Sequence, residues 1–280
     1  MTAFGERLRS AISTHGRLCV GIDPHETLLD AWGLGRDAAG LRAFGLRVVE
    51  AAAGRVPVVK PQVAFFERHG SAGIAALEDV MSAAREAGLL VLADAKRGDI
   101  GTTMDAYAAA WLSPGSPLEA DAVTVSPYLG IGALEGTFRL AQESGKGVFV
   151  LAATSNPEAR ALQGADVGDE TVAAHVLAEV EAYNASTTGD AWGDIGLVIG
   201  ATVDRTAAGL GSGAFEVPTP VLAPGFGAQG ARLGDLDRLF GPVAPQVLAS
   251  ASRSILGAGP DGVPDAIDAH NHELEESLHG

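Results

Sequence analysis

The segment LLVLADAKRGDIGTT (89–103) places Asp94, Lys96 and Asp99 directly after an apolar run. Two other apolar runs also end on charge: RLCVGIDP (17–24) closes on Asp23 and RVPVVKPQ (55–62) on Lys60, each followed at once by proline. A carboxylate and an ammonium at the mouth of a buried strand are costly unless they are paired. A single D-x-K would be read as a structural ion pair, but charges at the ends of three successive runs point to a site. The chemistry follows from the types. Opposite charges raise a lysine pKa, so an ammonium flanked by carboxylates stays protonated. Such a group stabilises developing negative charge and delivers a proton. It is unsuited to Schiff-base attack, which needs a depressed lysine pKa.

The elements that position these charges read as follows. Continuous apolar runs are strands buried on both faces, as in parallel sheets flanked by helices. Pro24 and Pro61 cannot extend a central ladder and mark strand ends. Asp94 and Lys96 share a side because side chains alternate with period two. Further strands are expected at 121–126, 147–154, 194–202, 219–225 and 245–252, which makes eight. Helix-period stretches occupy 36–54, 72–87, 102–112, 132–144, 168–184, 231–240 and about 262–277, with Gly88 a C-terminal stop after the second. This alternation predicts an α/β protein, a single (β/α)8 TIM barrel over 1–280 with a polar, partly flexible tail from about residue 270. The rival, a doubly wound open sheet, lacks a Gly-rich dinucleotide fingerprint after the first strand. In either fold the carboxyl ends of the strands are where ligands bind.

Composition sets the limits. The 280 residues are 47% hydrophobic, enough for a large core. No apolar stretch is long enough for a membrane span, and MTAFGERLRS has no signal-peptide hydrophobic region, so a cytoplasmic protein without membrane partners is expected. The single cysteine, Cys19, reads as a buried inert thiol. Seven histidines show no metal-ligand spacing, and His270, His272 and His279 fall in the tail, so no metal is expected. A net charge of −16 argues against nucleic acid. An acidic chain still binds an anion where its few cations converge. LAPGFGAQGA (222–231) sets Gln229 among three glycines after a strand, and SASRSIL (250–256) supplies Arg253. Exposed backbone N–H groups and a guanidinium suit phosphate, which barrels commonly hold after their seventh and eighth strands.

The order Asp23, Lys60, the D-x-K-x-x-D-I segment with Thr103, PGFGAQG and Arg253 resembles orotidine 5′-phosphate decarboxylase. FFERHGSAG (65–73), ADAKRGDIGTT and VSPYLG (125–130) resemble its longer bacterial subgroup, and the likeness runs from about residue 17 to 256. The chain departs from the commoner pattern at Ala251 and Ser252, where glycine is usual, and in a Gly-rich insertion at 204–218. The resemblance implies decarboxylation of orotidine 5′-monophosphate to uridine 5′-monophosphate without metal or organic cofactor. It makes Lys96 the proton donor, Asp94 the neighbour of the departing carboxylate, and Lys60 with Asp23 the holders of ribose hydroxyls. It implies a homodimer in which Asp99 and Thr103 cross the interface. Ser126 would read the pyrimidine edge, and Gln229 and Arg253 would hold phosphate. Two alternatives stay open: a metal-assisted phosphosugar enzyme sharing the D-x-K-x-x-D segment, and a non-catalytic phosphate-ligand sensor.

Overall fold

The computed structural model describes residues 2–227 and 230–277. Eight parallel strands close a barrel: β1 (Leu18–Ile22), β2 (Val58–Pro61), β3 (Leu90–Arg97), β4 (Ala122–Val125), β5 (Gly147–Ala153), β6 (Ile195–Ile199), β7 (Val221–Pro224) and β8 (Val247–Ala251). Each pairs with its neighbours in chain order, and β1 pairs with β8 to complete the circle. Helices cover the outside, so nearly every strand residue is buried, which explains the unbroken apolar runs.

Inside the barrel, one residue from each strand forms a layer: Cys19, Val58, Leu92, Ala122, Phe149, Val198, Leu222 and Leu248. A helix that the sequence reading did not anticipate, Phe4–His15, closes the bottom of this layer with Phe4 and Leu8. The Phe4 ring meets Phe149 edge-on at 6.1 Å. Gly147 makes room for it, since a Cβ there would lie 2.3 Å from the Phe4 ring. Asp194 fixes the helix by accepting from the Gly5 amide at 2.8 Å. Burial pushes the Cys19 thiol up to about 12, against the opposing pull of Lys60, so it stays protonated.

Several elements differ from expectation at their ends. The helix expected at 168–184 runs Val172–Thr187, because Asp166–Val167 and Glu170–Thr171 form a small hairpin and the Thr171 hydroxyl caps the helix by accepting from the Ala174 amide at 3.1 Å. The stretch 231–240 is a 3₁₀ turn (Leu233–Asp235) followed by a five-residue helix (Leu236–Phe240). Beyond residue 270 the last helix, Val263–Ser277, continues: Asn271 donates to the Arg55 carbonyl at 2.8 Å and Leu274 is buried. The 204–218 insertion is anchored from within. Arg205 is buried, donates to the Phe240 carbonyl at 2.7 Å, and lies 5.6 Å over the Phe215 ring.

Candidate active site

A cavity of about 530 Å³ opens at the carboxyl ends of the strands. Asp23, Lys60, Asp94, Lys96 and Arg253 all line it. The carboxyl-terminal ends of β2 and β3 and the segments just past β1 and β8 therefore bring together residues far apart in sequence, from Asp23 to Arg253.

The geometry at β3 is not that of a regular strand. β3 and β4 pair at Leu92–Ala122 and Ala93–Val123, and pairing next occurs at Arg97–Val125. One strand advances from 93 to 97 while the other advances from 123 to 125, so Asp94–Lys96 bulge out opposite Thr124 alone. Lys96 has φ 49°, the sole non-glycine among the described residues with positive φ. Asp94 and Lys96 do share a side, as the spacing suggested. They reach it through this bulge and a left-handed residue rather than through simple alternation.

The Asp94 carboxylate is the hub. Oδ2 accepts from Lys60 Nζ at 2.9 Å and from Gln62 Nε2 at 2.9 Å. Oδ1 accepts from Lys96 Nζ at 2.5 Å and from Thr124 Oγ1 at 3.0 Å. Thr124 Oγ1 in turn accepts from the Lys96 amide at 2.9 Å, so one hydroxyl ties both ends of the bulge. Burial alone would raise the Asp94 carboxyl, but the Lys60 and Lys96 ammoniums outweigh it and hold it well below the usual carboxylate range. Burial likewise disfavours the Lys60 ammonium, yet the Asp94 and Asp23 charges more than restore it and lift it above the ordinary lysine range. The two lysines differ in access. The Lys60 side chain is 7% exposed and that of Lys96 45%, so Lys96 is the ammonium that faces an incoming ligand.

On the opposite wall, Pro224, Gly225 and Phe226 of the loop after β7 and Ser252 and Arg253 after β8 line the cleft. Arg253 is exposed, and among the described residues its guanidinium has no hydrogen-bond or ion-pair partner, while its carbonyl accepts from the Gly257 amide at 3.0 Å. Ser252 packs against β1 where only glycine fits: a Cβ on Gly21 would lie 2.7 Å from the Ser252 Cβ. Gln229 lies outside the described residues.

Asp99, Thr103 and Ser126 do not line the cavity. Asp99 accepts from the Ile100 amide at 2.8 Å, and Thr103 is exposed on the first turn of the helix Gly101–Leu112. Ser126 is half-buried and its amide donates to the Arg97 carbonyl at 2.7 Å. Residues that sequence reasoning missed include Gln62 and Thr124 on the Asp94 hub, His25 and Phe65 at the rim, and Thr154, Ser155 and Asn156 after β5. A polar cluster directly following the apolar run 147–153 was the available signal for the last three. Among the described residues, no group of three or more His, Cys, Asp or Glu side chains could hold a metal ion.

The geometry meets an independent comparison. The sequence profile of the orotidine 5′-phosphate decarboxylase / HUMPS family matches residues 16–266. The chain is 54% identical over 264 residues to orotidine 5′-phosphate decarboxylase of Salinispora tropica, covering 94% of this chain and 93% of that one. It is 53% identical over 261 residues to the enzyme of that name from Corynebacterium efficiens, covering 92% and 91%. A solved structure from Streptomyces avermitilis, provisionally assigned to the same activity, superposes with a TM-score of 0.93 at 48% identity, covering 100% of this chain and 97% of that one. The OMP decarboxylase structure of Leishmania donovani gives a TM-score of 0.78 at 30% identity with full coverage of both chains. With the charged hub at the mouth of a closed parallel barrel and a profile match over most of its length, this chain belongs to the orotidine 5′-phosphate decarboxylase family.

Proposed function

We propose that this chain converts orotidine 5′-monophosphate to uridine 5′-monophosphate in pyrimidine nucleotide biosynthesis, with Lys96 as the proton donor. The observation that carries the reading is the Asp94 carboxylate fixed between the Lys60 and Lys96 ammoniums, with Lys96 turned into the cleft. The bond from C6 to the carboxylate breaks, its electron pair stays on C6, carbon dioxide leaves, and the Lys96 ammonium supplies the proton that C6 gains. Lysine then recovers a proton from solvent. A carbanion on that ring carbon lacks a good electron sink, so a fixed neighbouring cation stabilises the charge as it develops. Asp94 holds Lys96 in place and lies where the departing carboxylate would be repelled. Asp23 and Lys60 take ribose hydroxyls. The hydroxyl and amide groups of Thr154–Asn156 line the cleft and take the pyrimidine-edge role in place of Ser126.

Mixing the protein with orotidine 5′-monophosphate in the presence of chelator should give loss of substrate absorbance. Turnover only with added magnesium would favour a metal-assisted relative, and binding without turnover would favour a sensor.

Arg253 holds the phosphate, so Arg253→Ala should raise KM for the nucleotide by about 10- to 150-fold, the value of one charge-assisted hydrogen bond of about 1.5–3 kcal/mol. Turnover of the unphosphorylated nucleoside should hardly change. Equal losses on both substrates, with an altered melting curve, would mean that Arg253 supports the barrel instead.

The active unit is a homodimer in which Asp99 and Thr103 complete the partner's cleft. What supports this is their absence from the cleft of their own chain, beside exposed Ile100, Tyr128 and Leu129. Mixed subunits of two inactive variants, Lys96→Ala and Asp99→Ala, should regain activity, because one of the two sites in a heterodimer then carries neither lesion. No recovery after verified subunit exchange would remove Asp99 from the partner's site.

A further inference from the structure

A left-handed Lys96 has to be held there. For an L residue this conformation is strained and persists only when its surroundings over-determine it. On the upstream side, the Lys96 amide donates to Thr124 Oγ1. Downstream, the chain returns to register at Arg97, which pairs with Val125 and accepts from the Ser126 amide at 2.7 Å. The Arg97 side chain reaches in three directions. Nη1 donates at 3.1 Å to the carbonyl of Ala95, inside the bulge itself. Nη2 ion-pairs with Glu67 at the end of the helix Val63–Glu67. The guanidinium carbon lies 5.5 Å from the Tyr107 ring centre and 5.8 Å from that of Trp111, both on the helix Gly101–Leu112.

We propose that Arg97 is a positioning residue for Lys96: its guanidinium fastens the Asp94–Lys96 bulge to the two helices flanking β3 and so keeps the Lys96 ammonium on Asp94. The planar fork is what the task needs. It donates in divergent directions while stacking on aromatic faces, whereas a lysine at this position could satisfy only one of these contacts at a time. If the guanidinium is removed, the Ala95 carbonyl loses its donor and the peptide at Lys96 is free to relax to negative φ. That swings Nζ away from its carboxylate. The cost should fall on the chemical step, because misplacing a reacting group raises the barrier more than it weakens binding at distant contacts.

This inference rests on Lys96 acting on the substrate, and the experiment separates the two. Arg97→Lys and Arg97→Met would be compared with the wild-type protein for kcat, KM, affinity for uridine 5′-monophosphate and amide hydrogen exchange over residues 94–99. Both variants should lose between about tenfold and a hundredfold in kcat, with KM and product affinity within about twofold, and should exchange faster over 94–99. Leu274→Ala, on the far helix, serves as a control for stability alone: it should lower the melting temperature and leave kcat unchanged. Unaltered kcat in Arg97→Lys with unaltered exchange would overturn the proposal, as would an equal fall in kcat for the Leu274 control. If the wild-type protein does not turn over the nucleotide, the functional reading fails, and the exchange of segment 94–99 in Arg97→Lys still decides whether Arg97 holds the bulge.

Discussion

Replacing Lys96 by alanine is expected to lower turnover by about a thousandfold or more while leaving uridine 5′-monophosphate binding measurable. As the proposed donor, the ammonium would have two tasks in the transition state, stabilising the carbanion and protonating it, and positioned general acids alone supply about 10²–10⁴. On the proposed reading its loss touches the ground state far less, because the ribose and phosphate contacts are assigned to Asp23, Lys60 and Arg253, which line the same cavity from other parts of the barrel. An interaction made chiefly in the transition state lowers kcat rather than raising KM. The check is steady-state kinetics with a titration of product binding. Residual turnover above about a tenth of wild type, roughly 1.4 kcal/mol of barrier, would rule out Lys96 as the donor.

Asp94→Asn should be damaging in two separable ways. Lys60 is buried and its nearest counter-charge is Asp94 at 2.9 Å, so the variant leaves a buried ammonium with only the more distant Asp23 charge. Breaking one side of a buried pair costs about 3–5 kcal/mol of stability. Lys96 loses its anchor as well, so turnover should fall by at least about a hundredfold even well below the melting transition. The acid dependence provides a second check. The folded-state pKa of Asp94 is depressed, so its contribution to stability is complete above the ordinary carboxylate value, near 3.9, and is lost as pH falls toward the folded value. The stability gap between wild type and Asp94→Asn should therefore be constant above about pH 5 and shrink on acidification. A gap that widened in acid would contradict the charged hub.

The barrel was legible because its strands are buried on both faces, which turns each into an apolar run, several of them closed by proline or charge. Pro61 and Pro224 are the last residues of their strands. The helix Phe4–His15 was not, because half its residues are polar and its buried face consists of little more than Phe4, Gly5 and Leu8. At the site, the charges at 23, 60, 94 and 96 were readable from type and place. The bulge was not, since a two-residue slip against β4 depends on what Thr124 and Arg97 grip and leaves no period in the sequence. Ser126 and Ser155 illustrate the remaining ambiguity. Both are hydroxyls just past strand ends, and only the turn of the chain after β5 brings Ser155 to the cleft.

The helix beneath the barrel is made first, but its partners come much later in the chain. Its anchor, Asp194, lies 189 residues further along the chain from Gly5, and its ring partner is Phe149. During synthesis both partners exist only once five strands have been made and the sixth is about to begin. Contacts this distant in sequence are slow to form. A nascent chain released early would expose the floor of its own barrel to its neighbours. The same placement sets the helix Phe4–His15 at the end of the barrel opposite the cleft, so the floor and the charged mouth of the barrel share no side chain of this helix.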